Sequence, residues 1–141
     1  MIGFKLFNFT QQLLELSLRV RAARHEILSA NVANADTPGY RPRDLDFKTI
    51  MQTAVSSGEQ NLAGAGPRRD IDPKLATDLL PSMVYPVEDN RHGEDRLDGN
   101  AVSLDRQMAL LTENALAHEA SLTLLSRTLA SLRYAIGEGR R

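Results

Sequence analysis

The sequence predicts a mainly α-helical protein. Two long terminal helices form an antiparallel, coiled-coil-like pair, with a short helix and a largely irregular or disordered middle segment between them. Apolar residues alternate four and three positions apart near both ends of the 141-residue chain, which is the pattern of a helix packed along another helix. Between the ends, glycine, proline and charged residues interrupt any period. The expected segments are residues 1–40, 41–56, 57–99 and 100–141.

The N-terminal helix is predicted from about residue 9 to residue 33. Asn8 and Gln11 have the spacing of a capping box, so the helix is expected to begin there. Its apolar residues follow the four-three alternation and are expected to pack against a second helix. Those residues are Phe9, Leu13, Leu16, Val20, Ala23, Ile27 and Ala30.

A turn is predicted where this helix ends. Pro38 presets φ at the first central position and Gly39 supplies a positive φ at the second, so residues 37–40 are expected to form a type II turn. Asn34 is expected to end the helix in the left-handed conformation. Asn31 and Asn34 share a helix face, and their amides could bind freed carbonyl groups or a neighbouring chain.

Two interpretations of this turn stay open on the residues alone. One is an ordinary helix end with a hairpin-like exit. The other is an assembly turn that sets the exit angle and presents the next segment to a neighbouring subunit. Its residues would be Asn31, Asn34, Thr37, Pro38, Gly39 and Tyr40.

A short helix is predicted after the turn. Residue 41 should be extended, because Pro42 disfavours the helical conformation in the residue before it. Asp44 or Asp46 is expected to cap the helix. The apolar residues that fit helical spacing are Phe47, Ile50, Met51, Ala54 and Val55.

The middle of the chain lacks a helical period. Residues 56–67 resemble a linker, since serines and glycines break any repeat. Residues 68–98 are rich in charge and contain three prolines, so most of this stretch is expected to be disordered in the free chain. Residues 83–87 are the one strand-like run within it.

The C-terminal helix is predicted from near residues 100–103 to about residue 136, with Gly137 helping to end it. Leucines outside the two alternating patterns widen the apolar surface of both helices, so further partners are expected. The residues expected to pack are Leu104, Met108, Leu111, Ala115, His118, Leu122, Leu125, Leu129, Leu132 and Ile136.

Composition argues against catalysis. The chain has no cysteine, a net charge of −1 and 5% aromatic residues, so it has neither thiolate metal ligands nor the charge of a phosphate-binding protein. No serine lies in a nucleophile-elbow motif, and the glycines at 64 and 66 lack the lysine of a phosphate loop. His118 has no second histidine three or four residues away. No enzyme activity, metal, cofactor or membrane insertion is therefore predicted.

Two stretches resemble a known family. Residues 29–40 resemble the N-terminal signature of bacterial flagellar rod and hook proteins, and residues 41–47 narrow the resemblance to the proximal rod subunit of the flagellar basal body, the FlgB type. Near the other end, residues 96–105 and 113–116 are similar to that family's C-terminal segment. Ser103 departs from the family pattern, in which an acidic residue is expected at the start of the second helix.

The resemblance implies a structural subunit of the proximal rod, which assembles through its N- and C-terminal helices and transmits torque for motility. It implies contacts with further copies of itself, other rod subunits, the adaptor that joins the rod to the MS ring, and the flagellar type III export apparatus. The implied location is the rod in the periplasmic space, after synthesis in the cytoplasm and export without a cleaved signal peptide.

Two alternatives come from other classes of protein. A helical hairpin that grips one partner helix would be an intracellular binding module, such as an export chaperone or adaptor. A nucleic-acid-binding protein would use Arg19, Arg21 and Arg24 and would show salt-sensitive retention on DNA. The sequence around these arginines is not strongly basic, which favours partner contact or solubility.

Overall fold

The computed structural model describes residues 2–60, 71, 80–87 and 103–138. In chain order the elements are α1 (Ile2–Ala33), β1 (Arg43–Leu45), α2 (Phe47–Gln60), a 3-10 turn (Pro81–Met83), β2 (Val84–Pro86) and α3 (Leu104–Glu138). Helices α1 and α3 pack side by side, which confirms the predicted mainly helical fold of two long terminal helices with a short helix between them in the chain.

Helices α1 and α3 run antiparallel. The Asn31 side chain donates to the Gln107 side chain at 3.0 Å, and the Asn114 side chain donates to the Arg21 carbonyl at 2.9 Å. Moving backward along α1 therefore corresponds to moving forward along α3. None of the helices in the described part of the chain is long and apolar enough to cross a membrane.

The start of α1 differs from the prediction. The helix already begins at Ile2, so Asn8 lies inside it and the predicted capping box is wrong. No proline lies among residues 2–7, so nothing in them breaks the helix. The helix therefore extends through these residues and does not begin at Asn8. The end of α1 at Ala33 agrees with the prediction.

Strands β1 and β2 form a two-stranded antiparallel sheet, in which Arg43 lies opposite Pro86 and Leu45 opposite Val84. This confirms the strand-like run predicted at residues 83–87. The Val87 N–H also donates to the Pro42 carbonyl at 2.8 Å. The remaining linker and disorder predictions concern residues 61–70, 72–79 and 88–102, which lie outside the described residues.

Helix α2 closes a small core against α1 and β1. Ile50 and Ala54 of α2 are buried in one cluster with Leu16, Val20 and Leu45. Ile71 joins the same cluster, and its N–H donates to the Gln12 side chain at 2.9 Å. The predicted apolar face of α2 is confirmed at these positions, and the helix continues to Gln60, four residues past the expected boundary at residue 56.

Asp46 caps α2, as one of the two predicted alternatives. The Thr49 hydroxyl donates to the Asp46 carboxylate at 2.6 Å, and the Thr49 N–H donates to it at 3.0 Å. Such a cap satisfies a backbone donor that the first turn of a helix leaves free. These hydrogen bonds, with the Thr49 hydroxyl contributing most, lower the pKa of Asp46.

The Asp46 cap is expected to make α2 sensitive to acid. Because its pKa is lowered in the folded state, the charged cap stabilises the protein above the ordinary aspartate pKa of 3.8. That contribution is lost as the pH falls through the lowered value. Asp46→Asn keeps a capping side chain but cannot titrate, so its stability relative to the parent protein should improve as the pH falls in urea unfolding experiments. A difference that stays constant with pH would contradict the prediction.

Candidate assembly site at the Asn31 junction and the outer face of α3

Asn31 joins three parts of the chain. Its side chain is 0% exposed. Its amide nitrogen donates to the Arg43 carbonyl at 2.6 Å and to the Gln107 side chain at 3.0 Å. Its amide oxygen accepts from the Tyr40 hydroxyl at 3.1 Å and from the Arg43 N–H at 3.0 Å.

These bonds use the full hydrogen-bonding capacity of a side-chain amide, namely two donors and two acceptor sites. A buried amide without partners would destabilise the fold, whereas a satisfied one specifies which groups must meet around it. We call Asn31 with Tyr40, Arg43 and Gln107 the Asn31 junction. It fixes the path by which the chain leaves α1 and attaches that path to α3.

The turn itself forms as predicted. Gly39 has φ +73°, and the Tyr40 N–H donates to the Thr37 carbonyl at 3.2 Å. The left-handed helix end predicted at Asn34 is wrong, because glycine alone adopts positive φ among the described residues. Asn34 instead donates from its side chain to the Ala30 carbonyl at 2.8 Å, so it binds an acceptor in the last turn of α1.

Gly39→Val is expected to cost about 2 kcal/mol of stability, because a β-branched residue resists positive φ. The cost arises from the backbone alone, since a Cβ at this position meets no atom within 4 Å. Urea unfolding measures it, and Gly39→Asn is the matched control because asparagine tolerates the left-handed region. Equal stability of the valine and asparagine variants would rule out this source of strain.

The six residues of the predicted assembly turn separate into two groups. Asn31 is buried and the Tyr40 hydroxyl is bonded to it, while Asn34 is half-buried against the end of α1. The tip is exposed at Thr37, Pro38 and Gly39. The first group shapes the turn, and the tip is the part that solvent can reach. A role of the tip in assembly stays a prediction.

Asp44, the other residue predicted as a possible cap of α2, forms an ion pair instead. It accepts two hydrogen bonds from Arg24, from Nε at 2.7 Å and from Nη2 at 2.8 Å. It also accepts from the Leu45 N–H at 2.7 Å. The hydrogen bond to Asp44 is the main reason that the pKa of Arg24 is raised. This two-pronged ion pair ties β1 to α1 beside the Asn31 junction.

The arginine strip of α1 is largely occupied within the chain. The Arg21 guanidinium lies 4.2 Å from the centroid of the Phe47 ring, and burial followed by the charge of Arg24 lowers the pKa of Arg21. Arg24 is paired with Asp44, while Arg19 is exposed. A nucleic-acid phosphate could therefore bind Arg19 directly, but it would have to displace the contacts of Arg21 and Arg24. This weakens the nucleic-acid interpretation.

The inner face of α3, which packs on α1, is polar. Gln107, Asn114 and Ser121 are buried and lie seven residues apart. Gln107 bonds Asn31 and Asn114 bonds the Arg21 carbonyl. The Ser121 hydroxyl donates to the Ala117 carbonyl of its own helix at 2.9 Å. Specific polar contacts at single positions set the register of paired helices, so this face aligns α3 on α1.

Much of the predicted apolar pattern of α3 lies on the side of the helix away from α1. We call this side the outer face and define it by Leu104, Met108, Leu122, Leu129 and Ile136. These side chains are 38% to 66% exposed, so they add little to the pairing of α1 with α3. Ala115 is also exposed, whereas Leu111, His118, Leu125 and Leu132 are half-buried between the two faces. Packing of these residues between subunits stays a prediction.

The predicted residues of α1 point mainly into the small core. Leu16 and Val20 are buried there, and Leu13, Ala23 and Ile27 pack against it. Ala30 is exposed. The apolar pattern of α1 is therefore covered largely by α2, β1 and Ile71, and the apolar pattern of α3 is left to solvent. We expect the α3 pattern to be the one available to partners.

Sequence reasoning did not assign the positioning roles of four residues with polar side chains at buried or half-buried positions. Arg24 and Asp44 were given other roles, and Gln107 and Asn114 were given no role in packing. A signal existed for two of them, because Gln107, Asn114 and Ser121 repeat at seven-residue intervals beside the apolar pattern. No local signal pairs Arg24 with Asp44, since twenty residues separate them.

Comparison with known proteins identifies the family of this chain. The family described as "Flagella basal body rod protein" matches residues 18–41, a range that includes Asn31 and the whole turn. The flagellar basal body rod protein FlgB of Yersinia ruckeri is 33% identical over 132 residues, covering 87% of this chain and 90% of the relative.

Two further relatives match over most of their length. FlgB of Salmonella typhimurium is 33% identical over 120 residues, covering 82% of this chain and 84% of that protein. FlgB of Proteus mirabilis strain HI4320 is 30% identical over 137 residues, covering 94% of both chains. These similarities show that the chain belongs to the family of flagellar basal body rod proteins of the FlgB type.

Proposed function

We propose that this protein is a structural subunit of the flagellar basal-body rod, without enzymatic activity, and that it assembles with other rod components through its terminal helices. The observation that carries this proposal is the outer face of α3. Five large apolar side chains lie exposed along one side of a helix whose opposite contact, on α1, is already made. Such a continuous apolar surface marks an interaction site.

We further propose a place for the subunit in the proximal rod. Its partners there are further copies of itself, other rod subunits and the adaptor that joins the rod to the MS ring, and the flagellar type III export apparatus delivers it without cleavage to the periplasmic space. Family membership supports this placement. Within the six-residue assembly turn, the tip at Thr37, Pro38 and Gly39 is exposed, and it is the part that we propose contacts a neighbouring subunit.

Torque transmission requires that a subunit keeps its shape under load. The Asn31 junction supports this, because its four hydrogen bonds tie the end of α1 to β1 and to α3. The Arg24–Asp44 ion pair links α1 to β1 a second time. A subunit braced in this way passes force through many side-chain contacts between helices instead of bending at the turn.

Fractionation of flagellated cells tests the proposal. The protein is expected to co-purify with detergent-extracted basal bodies, and its deletion should leave basal bodies without rods and cells without motility. Complementation with the full chain should restore both. A chain that stays in the cytoplasm while rods form without it would overturn the rod assignment and favour a binding module.

A further inference from the structure

Two arginines next to the assembly turn are exposed and lack an ion-pair partner. Arg41 and Arg43 are exposed, while Pro42 between them is buried. Side chains two residues apart in an extended chain lie on the same side, about 6.6 Å apart along the chain. Both guanidinium groups therefore project from one side of the segment. Within the described part of the chain the ion pair joins Arg24 to Asp44, so neither exposed arginine is paired there.

Hydrogen bonds hold the main chain beneath these arginines. The Arg43 N–H donates to the Asn31 side chain at 3.0 Å, and the Arg43 carbonyl accepts from it at 2.6 Å. The Pro42 carbonyl accepts from the Val87 N–H at 2.8 Å. A pair of cations on a segment that is already fixed loses little backbone entropy on binding. This segment is therefore suited to dock on a partner that carries negative charge.

The outer face of α3 has a carboxylate beside its middle. Glu119 is exposed and lies next to Ala115 and Leu122 on the helix surface. The residues three and four positions away from it include no lysine or arginine, so α3 supplies no cation for this carboxylate. Asp105 borders the same face, but it lies in the first turn of α3, where the helix dipole already favours an acid. Glu119 has no such local role.

The arginines of one chain cannot reach Glu119 of the same chain. Asn31 binds both the Arg43 carbonyl and the Gln107 side chain, so Arg43 lies level with Gln107. Glu119 is twelve residues further along α3, which is roughly 18 Å at 1.5 Å per residue. That distance exceeds the length of an arginine side chain. A contact between Arg43 and Glu119 must therefore join two chains.

We propose that, in the assembled rod, the exit segment of one copy, residues 37–43, docks on the outer face of α3 of a second copy. Arg41 and Arg43 lie on either side of Glu119 of that copy. Pro38 and the aliphatic stems of the two arginines cover Leu122. This inference rests on the proposed function and names the surface that the assembly turn contacts.

The two contacting surfaces differ, so the contact is head-to-tail. Each copy uses its exit segment for one neighbour and its outer face for another, and such an array can keep growing instead of closing on itself. The second copy has the same polarity and is displaced by roughly 18 Å along α3, which brings Arg43 level with Glu119 instead of Gln107. A larger displacement is disfavoured by Arg133, which is exposed at the far end of the outer face.

Reversal of the charges tests the contact in cells. Arg43→Glu should lower the amount of the protein in purified basal bodies at least ~10-fold, because a carboxylate then faces Glu119. Glu119→Arg should have a similar effect, and the double variant should recover to within ~2-fold of the parent protein. Lys48→Glu is the matched control, since Lys48 is exposed on α2 outside both surfaces. No recovery in the double variant, or an equal loss from Lys48→Glu, would overturn the pairing.

Cross-linking measures the displacement, since the chain has no cysteine. Thr112 and Ser126 are exposed and lie seven residues before and after Glu119, so they are matched positions about 21 Å apart. The tip follows the end of α1, so in the docked copy it lies on the Thr112 side of Glu119. In basal bodies that contain two co-expressed variants, Thr37→Cys should cross-link to Thr112→Cys through a short bismaleimide. It should not cross-link to Ser126→Cys.

Each outcome of this experiment has one meaning. A cross-link at residue 126 and none at residue 112 would overturn the proposed displacement. Basal bodies that contain both variants but show neither cross-link would refute the contact and leave the rod function standing. Absence of the parent protein from basal bodies would refute the rod function, and this contact with it.

Discussion

Asn31→Leu is expected to lower the free energy of unfolding by about 4 kcal/mol. Leucine has the same branched shape and the same number of side-chain heavy atoms as asparagine, but it can form no hydrogen bond with the groups around it. The Arg43 N–H and carbonyl, the Tyr40 hydroxyl and the Gln107 amide would each lose a partner. Each buried polar group left unpaired costs about 1–3 kcal/mol, and the better helix propensity of leucine returns only about 0.5 kcal/mol.

Urea unfolding followed by circular dichroism measures this loss. Asn34→Ala is the matched control, because Asn34 makes a solvent-accessible side-chain bond to the Ala30 carbonyl and should cost about 1 kcal/mol or less. If Asn31→Leu were no more destabilising than Asn34→Ala, the Asn31 junction would not hold the turn in place. In cells, the destabilised Asn31 variant should also reduce motility, because the exit from α1 is no longer fixed.

Leu122→Asp is expected to abolish incorporation into rods and therefore motility. Leu122 lies at the middle of the outer face of α3 and is 44% exposed. A carboxylate placed there would be buried without a partner in any contact that uses this face, which is strongly unfavourable. Leu125→Asp should have the same result, since Leu125 lies half-buried between the outer and inner faces.

The control separates assembly from folding. Thr123→Asp adds the same charge one residue away, at an exposed position outside the outer face, and should leave motility intact. The free Leu122→Asp chain should unfold within about 0.5 kcal/mol of the parent protein, because Leu122 is largely exposed before assembly. Normal motility of Leu122→Asp would exclude the outer face as an assembly surface.

Local chemistry was enough to predict several elements. Pro38 and Gly39 specify their turn through φ preferences, and Asp46 caps α2 because its carboxylate reaches the first free N–H groups. The apolar repeat predicts α3 almost to its ends. Each of these signals acts within a few residues of the chain, so sequence alone reveals it. The missed start of α1 has the same origin, since a capping motif read locally cannot show that the helix continues before it.

The faces of the two long helices depended on packing between distant segments. A four-three repeat establishes that α3 has an apolar stripe, but not which neighbour covers it. In the folded chain, α2, β1 and Ile71 cover the stripe of α1. Asn31 and the Arg21 carbonyl draw the polar face of α3 inward, since buried polar groups must find partners. The apolar stripe of α3 is consequently turned outward, where it is available to another subunit.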